Sequence, residues 1–158
     1  MLGVPVVPPR PLDYRGPVSV RDADPLRGAD DAVARDAAIG ELDWAGPVPG
    51  AVRSTFPAPS GPLAVVSLGD PAHPRGVLVP GATGSKEDFA LMLPLLAAAG
   101  FHAQAYDLAG NYESAPAGPE PGGRYDYPLF ASDLIAFLEA GGPAHVLGYS
   151  FAGIVAQL

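Results

Sequence analysis

The chain has 158 residues, about the length of one domain, and its 48% hydrophobic and 16% charged residues provide the apolar material for a core that a disordered tail lacks. The formal net charge of −8 argues against a nucleic-acid binder, because such proteins carry a basic face. The absence of cysteine excludes a disulfide framework, a thiolate metal site and a cysteine nucleophile.

The N-terminal segment predicts neither export nor membrane insertion. It carries no basic residue before its apolar run, and prolines interrupt that run, so it does not resemble a signal peptide. No apolar stretch reaches the roughly 18 residues that a membrane-spanning helix needs. We therefore predict a cytoplasmic protein without a membrane span.

Proline is concentrated in the first third of the chain, where ten of the 20 prolines precede residue 60. Each one removes an amide donor and fixes a backbone angle, which excludes a long helix or a central strand. We interpret residues 1–55 as a proline-rich, largely irregular leader with one short helix from Asp31 to Ile39. A mis-assigned start codon and a disordered extension both remain explanations for it.

Residues 56–158 have the pattern of a folded domain. Short apolar strands alternate with segments of helical periodicity, and Ser85 and Asp88 form a capping box. Pro94 is expected to kink or split the helix that it interrupts. This alternation predicts an α/β fold, a mostly parallel sheet with helices on both faces. The predicted strands are 63–68, 76–80, 101–106 and 144–147, and the predicted helices are 85–99, 128–140 and a last one that begins at 151.

A serine stands where the last predicted strand meets the last predicted helix. The residues from Gly148 to Gly153 read Gly-Tyr-Ser-Phe-Ala-Gly. This resembles the nucleophile elbow, G-x-S-x-G, of α/β-hydrolases, in which a tight turn requires small residues two positions before and after the serine. Ala152 stands at the second of these positions. The resemblance implies that Ser150 is the nucleophile and that the backbone N–H of Phe151 binds the oxyanion.

Two further segments are similar to the same superfamily. The loop from Pro80 to Ser85 resembles its oxyanion loop, which implies that the N–H of Ala82 is the second donor and that Gly81 lets the chain approach the substrate. The segment 107–114 resembles the loop D-x-R-G-x-G-x-S. The chain departs from these patterns at four positions: Pro80, Ala109, Tyr112 and Ala152.

Three other polar or aromatic residues admit two interpretations each. Asp107 could be a nucleophile or a metal ligand, but a carboxylate that orders its loop is the preferred interpretation. Lys86 suggests a phosphate site, although the P-loop spacing G-x-x-x-x-G-K-[ST] is absent. Tyr149 either lines the substrate pocket or fills space.

The other two members of a catalytic triad are missing from the sequence. The superfamily order is serine, acid, histidine, and no acid or histidine follows Ser150. The three histidines, His73, His102 and His145, all precede it. We therefore expect the N-terminal part of an incomplete α/β-hydrolase fold, truncated inside the helix after the elbow and lacking the C-terminal strands. Such a fragment is expected to be inactive and, with its last strand unpaired, poorly soluble or molten.

The predicted function is that of a fragment of a serine hydrolase that attacks a carbonyl, in an ester-like small molecule, without a cofactor or a metal. A serine in place of an acidic nucleophile argues against the dehalogenases and ordinary epoxide hydrolases of the superfamily. A peroxidase-like or acyltransferase activity is a variant of the same triad. The alternative is a catalytically inactive truncation product or a non-enzymatic binding module. The oligomeric state stays open.

Overall fold

The structure is a computed structural model, and it describes residues 33–34, 43 and 46–158. The chain divides into two compact units, Met1–Leu42 and Asp43–Leu158. In the first unit, Val33 and Ala34 are helical and exposed. The rest of the helix predicted from Asp31 to Ile39, and most of the predicted leader, lie outside the described residues.

The second unit is a five-stranded sheet with helices on both faces. Two short 3₁₀ turns, Lys86–Phe89 and Tyr112–Ser114, follow β3 and β4. None of the helices in the described part of the chain is long and apolar enough to cross a membrane. The strands are β1 (Val52–Ala58), β2 (Gly61–Leu68), β3 (Arg75–Val79), β4 (His102–Tyr106) and β5 (Ala144–Gly148), and the helices are α1 (Met92–Ala98), α2 (Tyr127–Gly141) and α3 (Phe151–Val155).

The sheet is mixed, with the strand order β1-β2-β4-β3-β5. Strands β3, β4 and β5 are parallel, and Val77 of β3 lies opposite Gln104 on one side and Val146 on the other. The pairings of β1 with β2 and of β2 with β4 are antiparallel. The α/β fold with helices on both faces is confirmed. The two antiparallel pairings were not predicted, because alternation of strands and helices indicates only the parallel part.

Strand β1 begins inside the segment that was predicted to be irregular and continues past its end. It begins at Val52, before the predicted boundary at residue 55, and in the part of the chain that the structure describes it pairs with β2 alone. Its first four residues are exposed, so the strand lacks the apolar pattern on which the prediction rested. Pro57 is tolerated because an edge strand has one side without a hydrogen-bonding partner.

Two apolar clusters cover the two faces of the sheet. Neighbouring residues of β2 point to opposite faces, as in any strand, so Val65 belongs to one cluster and Val66 to the other. The cluster around Val65 contains Phe130 and Phe137 of α2 and also two residues of α3. The cluster around Val66 contains Leu93 of α1. Helix α3, which follows β5, is therefore packed against the sheet and α2 through the cluster around Val65.

The predicted helix over 85–99 is split, as expected, and the break lies at residues 90–91, three to four positions before Pro94. Ser85 and Asp88 form the predicted capping box at the first 3₁₀ turn, and the chain then re-enters a helix at Met92. Pro94 lies in the first turn of α1, where an amide has no intrahelical partner and its loss costs nothing. Gly100, with a φ of 85°, ends the helix.

Candidate active site

Ser150 occupies the sharp corner between β5 and α3. Its backbone has φ 53° and ψ −116°, a conformation that costs a residue other than glycine about 1–3 kcal/mol. Neighbouring hydrogen bonds hold the corner in place. The Tyr149 N–H donates to the Val79 carbonyl at 2.9 Å, and the Gly153 N–H donates to the carbonyl of Ser150 at 2.9 Å. The surrounding backbone thus imposes the strain on the serine.

The corner leaves no space for a side chain at the end of β5. A Cβ added to Gly148 would lie 2.3 Å from the carbonyl oxygen of Ala152, which is much closer than any real contact. Ala152 itself is fully buried. The prediction that small residues are required two positions before and after the serine therefore has its steric explanation here.

The hydroxyl of Ser150 takes no part in holding the helix. A serine at the N-cap usually accepts a hydrogen bond from the first turn, but Ser150 makes no such bond. The residue is exposed. Its Oγ is therefore accessible and not committed to a structural role at the helix start.

The loop after β3 lies directly against this corner. A Cβ added to Gly81 would be 3.3 Å from the ring of Tyr149 and 3.5 Å from the Cβ of Ser150. The loop folds into a tight turn, in which the Gly84 N–H donates to the Gly81 carbonyl at 3.0 Å. An alanine at position 81 would therefore be in tight contact with the Tyr149 ring, which would have to move by a few tenths of an ångström.

Several backbone N–H groups near the corner have no acceptor among the described residues, and two of these belong to residues that line the same cavity. These two belong to Ala82, in the loop, and to Phe151, the first residue of α3. Both residues line one cavity of about 330 Å³. The remaining lining residues come from the loop after β4 and from the approach to α2: Leu108, Ala109, Gly110, Asn111, Tyr125 and Phe130.

Tyr149 lies on the other side of the corner. Its side chain is 61% exposed and lines a separate cavity with Asp88, Phe89 and Met92. Of the residues predicted for the site, the structure thus brings Ala82 and Phe151 to one cavity, with Gly81 and Ser150 beside the corner, and places Tyr149 on a second cavity.

The side chain of Asn111 stabilises the loop after β3 through hydrogen bonds that the sequence did not predict. Its Nδ2 donates to the carbonyl of Ala82 at 2.9 Å and to that of Gly84 at 3.2 Å. One amide group thereby fixes two peptide planes of the turn that contains the Ala82 N–H. No sequence signal would have singled out this residue, since 29 positions separate it from Ala82.

A buried ion cluster anchors the far end of the same loop. The carboxylate of Asp107 accepts from the backbone N–H of Lys86 at 2.7 Å and from its Nζ at 3.0 Å, and both side chains are fully buried. The Asp107 carboxylate also accepts from the N–H of Glu113 at 3.2 Å. Asp107 therefore orders its loop, as the preferred interpretation held. The Lys86 ammonium is engaged by three carboxylates, those of Glu87, Asp107 and Glu113.

The electrostatics of this cluster favour a protonated Lys86. Burial lowers the pKa of Lys86, but hydrogen bonds to Glu113 and Asp107 outweigh it, and the pKa is raised. Burial raises the pKa of Asp107 above its usual value, and the hydrogen bonds from Lys86 offset only part of that increase. The hydrogen bond from Lys86 lowers the pKa of Glu113. We conclude that Lys86 stays protonated and holds the loop against β4.

The three histidines lie away from Ser150. His102 and His145 are at the beginnings of β4 and β5, and the serine follows the opposite end of β5. The rings of His145 and Phe101 make an edge-to-face contact at 5.6 Å. His73 lies in the exposed turn between β2 and β3. No histidine in the described ranges is therefore placed to accept a proton from Ser150.

Comparisons with known proteins place this architecture in a family. Residues 77–158, more than half of the chain, match the family model described as the alpha/beta hydrolase family. A search of curated protein sequences finds no match. Among solved structures, an epoxide hydrolase from an endophytic Streptomyces is 32% identical with a TM-score of 0.61, over 69% of this chain and 32% of that one.

Two further structures are similar. Epoxide hydrolase A from Mycobacterium thermoresistibile is 25% identical with a TM-score of 0.61, over 67% of this chain and 33% of that one. The thioesterase domain from the curacin biosynthetic pathway shares the fold at 20% identity and a TM-score of 0.61, over 68% of this chain and 40% of that one. The chain thus spans about a third of the length of the epoxide hydrolases that it matches. The chain belongs to the alpha/beta hydrolase family.

Proposed function

We propose that this chain carries the nucleophile and the oxyanion-binding groups of a serine hydrolase that acts on an ester. One observation carries the proposal: Ser150 is held at φ 53° on a strand-to-helix corner, with an exposed hydroxyl that the helix does not use. Strain of this kind persists only where the surrounding structure enforces it, and it concentrates at functional sites.

The chemistry follows from the groups around the corner. The Oγ of Ser150 attacks the carbonyl carbon, its proton passes to a base, and the carbonyl oxygen becomes negative. The N–H groups of Phe151 and Ala82 bind that oxygen, a stabilisation of about 3 kcal/mol for each donor in acyl transfer. The start of α3 adds its dipole. The tetrahedral intermediate expels the alcohol and leaves an acyl-serine, which water then hydrolyses.

The base and the acid that orients it are not supplied by the described residues. His102 and His145 lie at the opposite ends of their strands, and His73 is in an exposed turn. We infer that both groups belong to another part of the whole protein. A serine hydroxyl without a base is a weak nucleophile, so the 158-residue chain alone is expected to turn over esters slowly.

Epoxide opening is the second candidate, because the Streptomyces epoxide hydrolase is 32% identical. The chemistry of Ser150 weighs against it. Attack of an alkoxide on an epoxide carbon forms an ether, which water does not hydrolyse under mild conditions, whereas a carboxylate would form an ester that water can cleave. A non-enzymatic binding module is the third candidate, and it requires no reaction at Ser150.

A fluorophosphonate probe tests the proposal. The Ser150 oxygen would form a bond to phosphorus while the P–F bond breaks and fluoride leaves, with added imidazole as the base. Mass spectrometry of the digested chain is expected to find the phosphonyl group on Ser150. Ser150→Ala should abolish that labelling. Ser132→Ala should preserve it, because the Ser132 hydroxyl only donates to the Leu129 carbonyl on the exposed face of α2. An unmodified Ser150 would reject the proposal in favour of a binding module.

A further inference from the structure

Tyr112 shares with Ser150 a backbone conformation that is unusual outside glycine. In the described part of the chain these are the two residues other than glycine with a positive φ, 43° for Tyr112 and 53° for Ser150. In the loop pattern D-x-R-G-x-G-x-S, which the segment 107–114 resembles, glycine stands at the position of Tyr112. Glycine adopts a positive φ without strain, whereas a tyrosine is destabilised by it. Tyr112 is therefore a candidate for a functional role.

Backbone hydrogen bonds on both sides hold Tyr112 in this conformation. The Asn111 N–H donates to the Leu108 carbonyl at 3.0 Å, and the Ser114 N–H donates to the Asn111 carbonyl at 2.8 Å. The Ser114 hydroxyl is buried and accepts from the Ala64 N–H of β2 at 2.8 Å, which anchors the turn to the sheet. Relaxation of φ at Tyr112 would break this turn.

As a result, three consecutive side chains contact one segment, residues 82–86. The Asn111 amide donates to two backbone carbonyls of that segment. The centroid of the Tyr112 ring lies 4.8 Å from the Nζ of Lys86, and the Glu113 carboxylate is ion-paired with the same Nζ. Neighbouring side chains of an extended chain would point to opposite sides. The positive φ of Tyr112 therefore allows the three side chains to hold the loop after β3 together.

The Tyr112 ring lies over a buried ammonium group. The Nζ of Lys86 contacts three carboxylates, and the Lys86 side chain is fully buried. An aromatic ring attracts a cation more strongly when water is excluded from the cation. Tyr112 itself is 55% exposed, so its ring lies between the ammonium and the solvent. Loss of the ring would weaken the contact between the two loops and open a path for water to Lys86.

We propose that Tyr112 is a positioning residue for the oxyanion-binding N–H of Ala82. The inference rests on the function proposed above, because it requires that N–H to bind the oxyanion. The Tyr112 ring binds Lys86, and this contact keeps Asn111, the preceding residue, aligned with the carbonyls of the loop after β3. Tyr112 touches no substrate in this account and acts through Asn111.

The rate of fluorophosphonate labelling at Ser150 tests the proposal in the 158-residue chain with added imidazole. Tyr112→Leu removes the ring, and we expect labelling to slow about threefold to tenfold, the loss of one contact between a cation and a ring. Tyr112→Phe keeps the ring and should be labelled at the wild-type rate. Labelling of Tyr112→Leu at the wild-type rate, or of Tyr112→Phe as slowly as Tyr112→Leu, would overturn the inference.

Tyr112→Gly removes the ring without leaving a strained residue behind. Glycine accepts the positive φ, so this variant should fold, as circular dichroism and thermal melting would establish. It should nevertheless be labelled as slowly as Tyr112→Leu, because it also lacks the ring. A folded Tyr112→Gly that is labelled at the wild-type rate would show that the ring does not position the donor.

Phe56→Leu is the matched control for the loss of an aromatic contact. Phe56 packs edge to face against Phe137 and lines a different cavity from that of Ala82 and Phe151. Its substitution should leave the labelling rate at Ser150 unchanged. Equal slowing in Phe56→Leu and Tyr112→Leu would assign the effect to general destabilisation and reject the positioning role.

Hydrogen exchange measures the loop itself, independently of the reactivity of Ser150. A peptide that covers residues 80–90 contains the Gly84 N–H, which donates to the Gly81 carbonyl in the turn. Mass spectrometry is expected to find exchange in this peptide about threefold to tenfold faster in Tyr112→Leu. Exchange should stay at the wild-type rate in Tyr112→Phe and Phe56→Leu. An unchanged rate in Tyr112→Leu would contradict the inference.

The outcomes separate this inference from the proposed function. A labelled Ser150 in the wild type, together with an unchanged labelling rate in Tyr112→Leu, would reject the positioning role and leave the serine hydrolase standing. An unlabelled Ser150 in the wild type would reject both, and faster exchange in Tyr112→Leu would then concern only the stability of the loop.

Discussion

Ser150 and Gly148 illustrate how two residues define the corner. The serine adopts a positive φ that most residues avoid, and Gly148 makes this possible because any side chain there would collide with the carbonyl of Ala152. The strain is stored locally, while the hydrogen bond from the Tyr149 N–H to Val79 and the buried Ala152 prevent the corner from relaxing.

Substitution of Gly148 should therefore be costly. We expect Gly148→Ala to lower the free energy of unfolding by about 2 kcal/mol or more, since a Cβ placed 2.3 Å from a backbone oxygen forces the backbone to move. Urea denaturation measures the change. Gly76→Ala is the control: its Cβ would have its nearest neighbour at 3.8 Å, so stability should change by less than about 1 kcal/mol. Equal effects of the two substitutions would contradict the steric account.

Asn111 is the residue that we expect to position the Ala82 N–H. Asn111→Ala releases the carbonyls of Ala82 and Gly84, and we expect the rate of fluorophosphonate labelling at Ser150 to fall by about tenfold, part of the effect of losing one oxyanion donor. Asn111→Asp keeps the size of the side chain but removes the donor, so it should lose the same amount. Labelling of Asn111→Asp at the wild-type rate would show that the side chain acts only through its volume.

At the scale of elements, contacts between loops determine where the site groups lie. The first 3₁₀ turn and the loop after β4 are joined by Lys86 and Asp107, both fully buried. A buried ion pair is weak evidence for stability, because desolvation offsets much of the attraction. Its effect here is positional: the Lys86 N–H and Nζ both bind one carboxylate, which sets the distance between the two loops.

Glu113 is the exposed member of this cluster, and its ion pair with Lys86 should make the free energy of unfolding depend on pH. The hydrogen bond from Lys86 lowers the pKa of Glu113 below its usual value of 4.5. The stabilisation by Glu113 should therefore be complete above about pH 4.5 and disappear as the pH falls through the lower pKa of the folded state. We expect wild type to be more stable than Glu113→Gln at pH 7, and we expect this difference to shrink as the pH falls below 4.5.

Urea titrations at a series of pH values measure this difference. Glu139→Gln is the control, because Glu139 is an exposed residue of α2 for which the described part of the chain offers no ion pair. A gap between wild type and Glu113→Gln that persists unchanged at pH 2 would contradict the assignment of the Lys86 contact.

The four predicted strands are present close to their predicted limits, because a buried strand is a short apolar run between turn residues and that pattern is local. Strand β1 was missed because its exposed residues carry no such pattern. The pairing of Lys86 with Asp107 across 21 residues was missed for a different reason. Such a contact depends on how the elements pack, and the sequence does not indicate which residue is the partner of Lys86 or of Asp107. The same holds for Asn111.

At the scale of the whole molecule, β5 is the last strand of the sheet and, among the described strands, pairs with β3 alone. Val146 and Leu147 are 38% and 40% exposed, which is unusual for a strand of a parallel region. An exposed apolar edge of this kind promotes pairing between chains. The expectation of low solubility for the 158-residue chain therefore stays a prediction, and we attribute it to the exposed apolar edge at β5.

Sedimentation velocity tests that surface. The 158-residue chain should self-associate at micromolar concentrations, and Leu147→Lys should shift it towards monomer because like charges then meet at the edge. Ile135→Lys places the same charge on the exposed face of α2, where Ile135 is 52% exposed, and should leave the association unchanged. A wild-type chain that stays monomeric and melts in one sharp cooperative transition would contradict the prediction.

Acetylation of Ser150 by nitrophenyl acetate is the most direct measurement of the central claim. With added imidazole to take the proton of the serine hydroxyl, transfer of the acetyl group from the nitrophenyl ester to the serine oxygen releases nitrophenolate. Once the imidazole is removed, no base is left for deacylation, and the acetyl-serine should persist. Mass spectrometry is expected to find one acetyl group on the peptide that carries Ser150 in the wild type and in Ser132→Ala, and none on that peptide in Ser150→Ala. An unacetylated Ser150, or the same acetylated peptide in Ser150→Ala, would contradict the assignment of the nucleophile.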